Sequence, residues 1–200
     1  MRWLAWGVLG AAIAAVGTVA VLTLRRPDAA ELPVIAEVGS FELVDHAGRE
    51  VSPATLAGTP WVADFIFTRC RATCPLMTEA MRRLRAGWPA DLPVRFVSIS
   101  VDPEHDRPPV LASYRREHGI EGDDWLFLSG ERDAVFRLVS ETFLLQFDPD
   151  PPPELATPEM PILHSTRFVL VDAQGRIRGY YDGLDRSALE RLQHDVRLMR

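Results

Sequence analysis

The 200-residue chain has only two cysteines, which are too few for a disulfide scaffold or a four-cysteine zinc site. It has no lysine and no asparagine, and all 22 basic residues are arginine, a bias that we attribute to genomic base composition. Acidic residues number 28, and the net charge of -6 argues against nucleic acid as the partner. A hydrophobic fraction of 47% excludes a disordered polymer, and the chain length predicts one domain plus one appendage.

Charged residues are also absent from the N-terminal stretch Trp3–Leu24, which is flanked by arginines. At about 1.5 Å of rise per residue, a helix of this length crosses a hydrocarbon core of about 30 Å. We therefore predict a transmembrane anchor at residues 1–26, a linker at 27–40 and a domain at 41–200, with a cleaved signal peptide as the alternative. The two-residue tail before this stretch favours export of the domain. We expect a single-pass protein of the inner membrane whose soluble domain faces the periplasm.

The rest of the chain alternates between short apolar runs and amphipathic segments, which predict strands and helices respectively. The predicted strands are Phe41–Val44, Glu50–Val51, Trp61–Phe67, Val94–Val101, Trp125–Leu128, Arg167–Asp172 and Ile177–Tyr181. The predicted helices begin near Pro75 and at Pro108, and cover Glu131–Phe143 and Arg186–Leu198. The proline-rich stretch Asp148–Pro161 predicts a stiff, extended loop.

This order of elements predicts an α/β fold built on a mixed β-sheet with helices on both faces. Right-handed crossovers place the strands Trp61–Phe67 and Val94–Val101 side by side and parallel. Ligands of such sheets bind beyond the carboxyl ends of the strands, and both cysteines lie in the loop that follows Trp61–Phe67.

The candidate site consists of Cys70, Cys74 and His164. The two cysteines lie between a buried strand and a helix, where backbone N–H groups and the helix dipole stabilise thiolates. Their spacing lets both sulfurs point the same way, which permits a soft-metal site or a disulfide, and an inert packed pair is the remaining alternative. His164 would complete a set of two thiolates and one imidazole. Such a set suits copper as Cu(I) or Cu(II), with zinc as the competing ion.

Two other groups of metal-binding residue types have simpler interpretations. Met77 and Met81 repeat at helical spacing, which predicts core positions rather than metal ligands. The stretch Asp102–Asp106 is interpreted as a loop that ends a strand, with Asp102 capping backbone N–H groups.

The motif FTRCRATCP at Phe67–Pro75 resembles the copper-binding signature of the Sco/SenC family, which comprises membrane-anchored, thioredoxin-like copper chaperones for cytochrome c oxidase assembly. Three further segments fall in the family's order: VSISVDPE at Val97–Glu104, the pair His164–Ser165 with the strand Phe168–Asp172, and GYYDG at Gly179–Gly183. Four motifs in register, together with the N-terminal anchor, are specific, whereas a lone CxxxC would be weak.

The resemblance implies a thioredoxin-like domain in which Cys70, Cys74 and His164 bind one copper ion. It also implies delivery of copper to the binuclear copper site of cytochrome c oxidase subunit II, or reduction of the cysteines of that site. Another copper chaperone or a thiol reductant would be a further partner. One departure is Leu163, because the family often carries aspartate directly before the histidine.

A thiol–disulfide oxidoreductase is the alternative function, with Cys70 and Cys74 as the redox pair and His164 lowering the pKa of a thiol. The usual redox spacing is one residue shorter, which favours metal binding, although the same sulfurs could do both. A peroxidase is disfavoured, because Phe67 and Arg71 stand where such enzymes commonly carry threonine or serine. We therefore expect a metallochaperone, and whether it is also a thiol–disulfide reductase stays open.

Overall fold

The computed structural model describes residues 32–149, 151–152 and 162–199. These residues form a mixed sheet of eight strands and a separate ribbon of two. The strands are β1 (Ala36–Glu37), β2 (Leu43–Asp45), β3 (Glu50–Val51), β4 (Trp61–Ile66), β5 (Arg95–Ser100), β6 (Trp125–Ser129), β7 (Phe147–Asp148), β8 (Leu163–His164), β9 (Arg167–Val171) and β10 (Arg176–Asp182).

The main sheet has the strand order β1-β10-β9-β4-β5-β6-β2-β3. Strands β4, β5 and β6 are parallel, with Ile66 opposite Ser100, and the other neighbours in this sheet are antiparallel. All six residues of β4 are buried, as expected of a central strand covered on both faces. The predicted parallel pair and the mixed α/β fold are therefore confirmed.

The α-helices are α1 (Pro53–Leu56), α2 (Thr73–Ala86), α3 (Pro108–Glu117), α4 (Arg132–Arg137) and α5 (Arg186–Leu198). The prediction of a single α-helix over Glu131–Phe143 is only partly correct. In the structure α4 ends at Arg137 and is followed by a π-helical turn at Leu138–Thr142. There the N–H of Phe143 donates to the carbonyl of Leu138, five residues earlier, at 2.9 Å. The Ser140 hydroxyl donates to the carbonyl of Phe136, a contact that competes with regular helical bonding.

Helical segments cover both faces of the sheet. On one face, Phe65 of β4 packs edge-on against Phe143, which follows the π-helical turn, with ring centroids 5.1 Å apart. The right-handed crossovers place α2 and α3 on the other face, where Thr78 and Tyr114 share a hydrogen bond of 2.8 Å. This layering buries one side of α2, which includes Cys74, Met77 and Met81, and the first turn of α2 lies beyond the carboxyl end of β4.

Part of the predicted linker at 27–40 contacts the domain, because the backbone N–H groups of Ile35 and Val38 donate to the carbonyls of Ile177 and Gly175. Strand β1 pairs with β10, and the Arg178 guanidinium donates to the backbone carbonyl of Pro33 at 3.1 Å. Within the described ranges no helix is long and apolar enough to cross a membrane. The predicted anchor at 1–26 and residues 153–161 of the predicted proline-rich loop lie outside those ranges.

Candidate metal centre

Cys70, Cys74 and His164 meet beyond the carboxyl end of β4. Cys70 lies in the loop after β4, Cys74 is the second residue of α2, and His164 ends β8. One ligand atom from each residue, two sulfurs and an imidazole nitrogen, lies within 4.8 Å of the other two. The structure thus brings together the three residues that the sequence singles out, although His164 is 90 positions from Cys74 in the chain.

The two thiols are buried, and the imidazole is half-buried above them. Both cysteines are free thiols, and Cys70 and Cys74 are 3% and 0% exposed. The backbone N–H of Cys74 donates to the sulfur of Cys70 at 3.4 Å, and Cys74 Sγ lies 3.2 Å from His164 Nε2. Of the three candidate ligands, His164 is therefore the one that is partly exposed.

The histidine ring is oriented by its surroundings. Its Nδ1–H donates to the carbonyl of Ser165 at 3.1 Å, and its ring meets Phe67 edge-on with centroids 5.5 Å apart. Its strand is held in the ribbon, where His164 pairs with Phe147. With Nδ1 protonated, the lone pair of Nε2 faces the sulfur of Cys74, which is the tautomer a metal ligand requires.

The two thiols differ in acidity. The side-chain hydrogen bond with Cys74 is the largest cause that lowers the pKa of Cys70, and contacts with His164 and with backbone N–H groups add to it. The pKa of Cys74 is raised, first by the bond with the more acidic Cys70 and then by burial. The pair therefore favours one thiolate on Cys70 and one thiol on Cys74 in the metal-free state.

This donor set fits a soft metal ion. Two thiolates select Cu(I), the imidazole also suits Cu(II), and three ligands leave a coordination position open to an incoming group. The same two sulfurs are placed for thiol–disulfide exchange. Among the described residues this is the one group of three or more histidine, cysteine or acidic side chains that could hold a metal ion. Met77 and Met81 are fully buried core residues, as predicted.

The loop Asp102–Asp106 contacts the cysteine loop in a way the sequence does not predict. The Asp102 carboxylate accepts from the guanidinium of Arg69 at 2.8 Å, rather than capping a backbone N–H group as expected. The carboxylate that accepts from a loop N–H is that of Asp106, which receives the N–H of Thr68 at 2.9 Å. The two partners are 38 residues apart, so no local pattern could have indicated the bond.

Comparison with known proteins identifies the family. The SCO1/SenC family model matches residues 30–198. This chain belongs to the SCO1/SenC family. The SCO1 protein homolog of Bacillus subtilis is 33% identical over 169 residues, which is 82% of this chain and 83% of that protein.

Solved SCO1/SenC structures share its mixed, thioredoxin-like fold. A SCO1/SenC lipoprotein from Bacillus anthracis gives a TM-score of 0.75 at 28% identity, over 84% of this chain and 96% of that one. BsSco is described as having a disulfide switch and as a member of a family of cytochrome c oxidase assembly proteins. Its TM-score is 0.69 at 30% identity, over 84% of this chain and 95% of that one. Bradyrhizobium japonicum ScoI, solved with copper bound, gives 0.62 at 24% identity, over 82% and 100%, a likeness of fold alone.

Proposed function

We propose that this SCO1/SenC protein binds one copper ion through Cys70, Cys74 and His164 and serves the assembly of the binuclear copper site of cytochrome c oxidase subunit II. The observation that carries the proposal is the convergence of two thiols and a correctly oriented imidazole within 4.8 Å. The oxidase-assembly relative supports the choice of pathway, and the set of two thiols and one imidazole supports the choice of metal. The partner would be subunit II or a similar copper-receiving protein.

Copper is the cargo in this proposal, so the site must bind it and also release it. The Cys70 thiolate binds first, because it is the more acidic thiol, and Cys74 then gives up its proton as the second sulfur ligand. The open coordination position lets a thiolate of the partner bind before a ligand of this chain leaves. The half-buried His164 stands at the accessible side of the site, where that exchange would begin.

Reduction of the partner's cysteines is the second candidate function, favoured by the free thiols and the acidity of Cys70. The Cys70 thiolate would attack a disulfide of the partner, releasing one partner thiolate and forming a mixed disulfide. Cys74 would then displace the second partner sulfur. This chain ends with a Cys70–Cys74 disulfide, and the partner gains two electrons and, from Cys74 and solvent, two protons.

We further propose that residues 1–26 anchor the protein in the inner membrane with the domain in the periplasm. The uncharged stretch Trp3–Leu24 supports this. An alkaline carbonate wash of membranes tests it, because an anchored full-length chain stays with the membrane fraction. Release of the full-length product into the wash would reject the anchor.

An anaerobic copper titration of the reduced protein tests the function. We expect one copper per chain, and thiolate-to-metal charge-transfer bands when Cu(II) is added. Cys70→Ala and Cys74→Ala should abolish tight binding, and His164→Ala should weaken it or change the preferred oxidation state. His105→Ala is the matched control, because His105 is exposed on the Asp102–Asp106 loop.

Two outcomes of that titration would overturn parts of the proposal. Unchanged binding and spectra in His164→Ala would reject the histidine as third ligand. No retained copper, together with a readily cycled Cys70–Cys74 disulfide, would put the thiol–disulfide oxidoreductase first.

A further inference from the structure

The fold fixes the positions of the three candidate ligands to different extents. Cys74 lies in the first turn of the long helix α2, and His164 lies on a paired strand. Cys70 lies on the loop between β4 and α2, where its own N–H makes only a turn bond to the carbonyl of Phe67, at 3.2 Å. The position of Cys70 therefore depends on whatever tethers that loop.

A buried carboxylate supplies the tether. Asp106 is fully buried and accepts the N–H of Thr68 at 2.9 Å and the Thr68 hydroxyl at 2.5 Å, two residues before Cys70. It also accepts the hydroxyl of Ser100, the last residue of β5, at 2.6 Å. The carboxylate thus joins the ends of two neighbouring parallel strands, and the cysteine loop starts from that junction.

A second link between the same two loops is weaker. The ion pair of Arg69 with Asp102 has a guanidinium side chain that is 51% exposed, so water and salt screen it. Hydrogen bonds from three donors to a buried carboxylate are stronger, because no water competes for the acceptor and the acceptor carries charge. Of the two links, the one through Asp106 should control where the loop begins.

We propose that Asp106 is a positioning residue of the metal centre, which acts through Thr68 to fix Cys70 opposite Cys74 and His164. The proposal rests on the proposed function, because it assigns a role to a residue behind that site. Its consequence is that the geometry of the sulfur pair, and not merely the stability of the domain, responds to the Thr68–Asp106 contact. A shift of about 1 Å in one ligand is enough to weaken a metal site.

Substitution of Thr68 separates geometry from folding. Thr68→Val keeps the size and shape of the side chain and leaves the backbone N–H contact, but removes the hydroxyl donor. Thr68→Ser keeps the hydroxyl and should restore the wild-type behaviour. Asp106→Asn alters the acceptor itself, and Asp102→Asn is the matched control on the exposed link.

The variants are compared by three measurements on the reduced full-length chain. These are the position of the thiolate-to-Cu(II) charge-transfer band, the Cu(I) affinity by competition with a chelator, and the equilibrium constant of the Cys70–Cys74 couple against glutathione. For Thr68→Val and Asp106→Asn we expect a displaced band, about tenfold weaker Cu(I) binding and about a tenfold change in the exchange constant. Thr68→Ser and Asp102→Asn should lie close to wild type.

The outcomes distinguish this proposal from the function on which it rests. If the wild-type protein retains no copper, the proposed function fails, while the glutathione equilibrium still tests the positioning role. If Thr68→Val and Asp106→Asn match wild type in all three measurements, Asp106 does not position the site. Equal effects of Asp102→Asn and Asp106→Asn would also overturn the proposal, because it assigns control to the buried link.

Discussion

Asp64 lies in the middle of β4 and gives the sharpest quantitative prediction about this domain. Its side chain is fully buried, and within the described part of the chain neither carboxylate oxygen has a hydrogen-bonding partner. Burial is the largest cause acting on this group, and it raises the pKa of Asp64 to about 7. The Ser98 hydroxyl on the paired strand and the nearby His164 lower the pKa of Asp64, but they offset the effect of burial only in part.

The magnitude follows from linkage between protonation and folding. The folded-state pKa lies above the ordinary value of 3.8, so between these two values the folded protein holds a proton that the unfolded chain has lost. The free energy of unfolding therefore falls as the pH rises across that range. Since one pKa unit corresponds to about 1.4 kcal/mol, ionising Asp64 should cost about 4 kcal/mol of stability once the pH is well above 7.

Asp64→Asn removes the titrating group and keeps its shape. Relative to wild type, we expect the variant to gain about 3 kcal/mol between about pH 5 and about pH 8.5, where most of the loss occurs. Urea unfolding of both proteins, reduced and with a chelator present, measures the difference at each pH. Because the charge of Asp64 also raises the pKa of Cys74, both proteins are compared on a Cys70→Ala/Cys74→Ala background, in which no cysteine titrates.

The pH dependence of the difference is what decides the matter. A constant offset between Asp64→Asn and wild type reflects the amide itself and is compatible with the reasoning. A difference that stays flat from about pH 5 to about pH 8.5 would refute it, because it would mean that Asp64 ionises as easily in the folded domain as in the unfolded chain.

Two further predictions concern the stability of the domain. Phe143→Ala should lower the free energy of unfolding by about 3–5 kcal/mol in urea, because the ring is fully buried and packs edge-on against Phe65 and Trp61. Asp172 should give a pH dependence of the opposite sign. Burial alone would raise its pKa, but hydrogen bonds from Arg176 and Arg178 outweigh burial and hold the pKa below 3.8. The stabilisation that ionised Asp172 gives to the folded state is present above about pH 4 and is lost as the pH falls further. The urea midpoint of Asp172→Asn should therefore fall less than that of wild type when the pH is lowered from about 5 to about 3.

The central part of the fold could be predicted because its signals are local. Trp61–Ile66 is a mostly apolar run of strand length, and Arg95–Ser100 is a strand-length stretch rich in β-branched and aromatic residues. The handedness of crossovers allows few ways to connect them through α2. The spacing of Met77, Met81 and Leu84 gives the buried side of α2 for the same reason. The change to π-helical bonding after Arg137 has no comparable signal in the sequence. It depends on which backbone carbonyl each N–H group bonds to in the folded chain.

In the candidate site too, some features could be predicted from the sequence and others could not. The cysteines are four residues apart, so their spacing, in a loop between strand and helix, indicated a shared site. The resemblance of four short motifs added His164. The contact of Thr68 with Asp106 could not be predicted, nor could the lack of a hydrogen-bonding partner for Asp64 among the described residues, because each depends on atoms that approach only after distant segments pack.

The sequence by itself determined the type of chemistry, since two thiols and an imidazole suit a soft metal wherever they meet. It also determined the alternation of strands and helices, because the periodicity of apolar residues is a local property of the chain. Only the tertiary structure decided that His164 turns Nε2 toward Cys74 and that Cys70 is the more acidic thiol. It also decided that Asp106 contacts the loop between β4 and α2. These depend on distances of about 3 Å between residues far apart in the chain, and the packing of the sheet, helices and ribbon sets such distances.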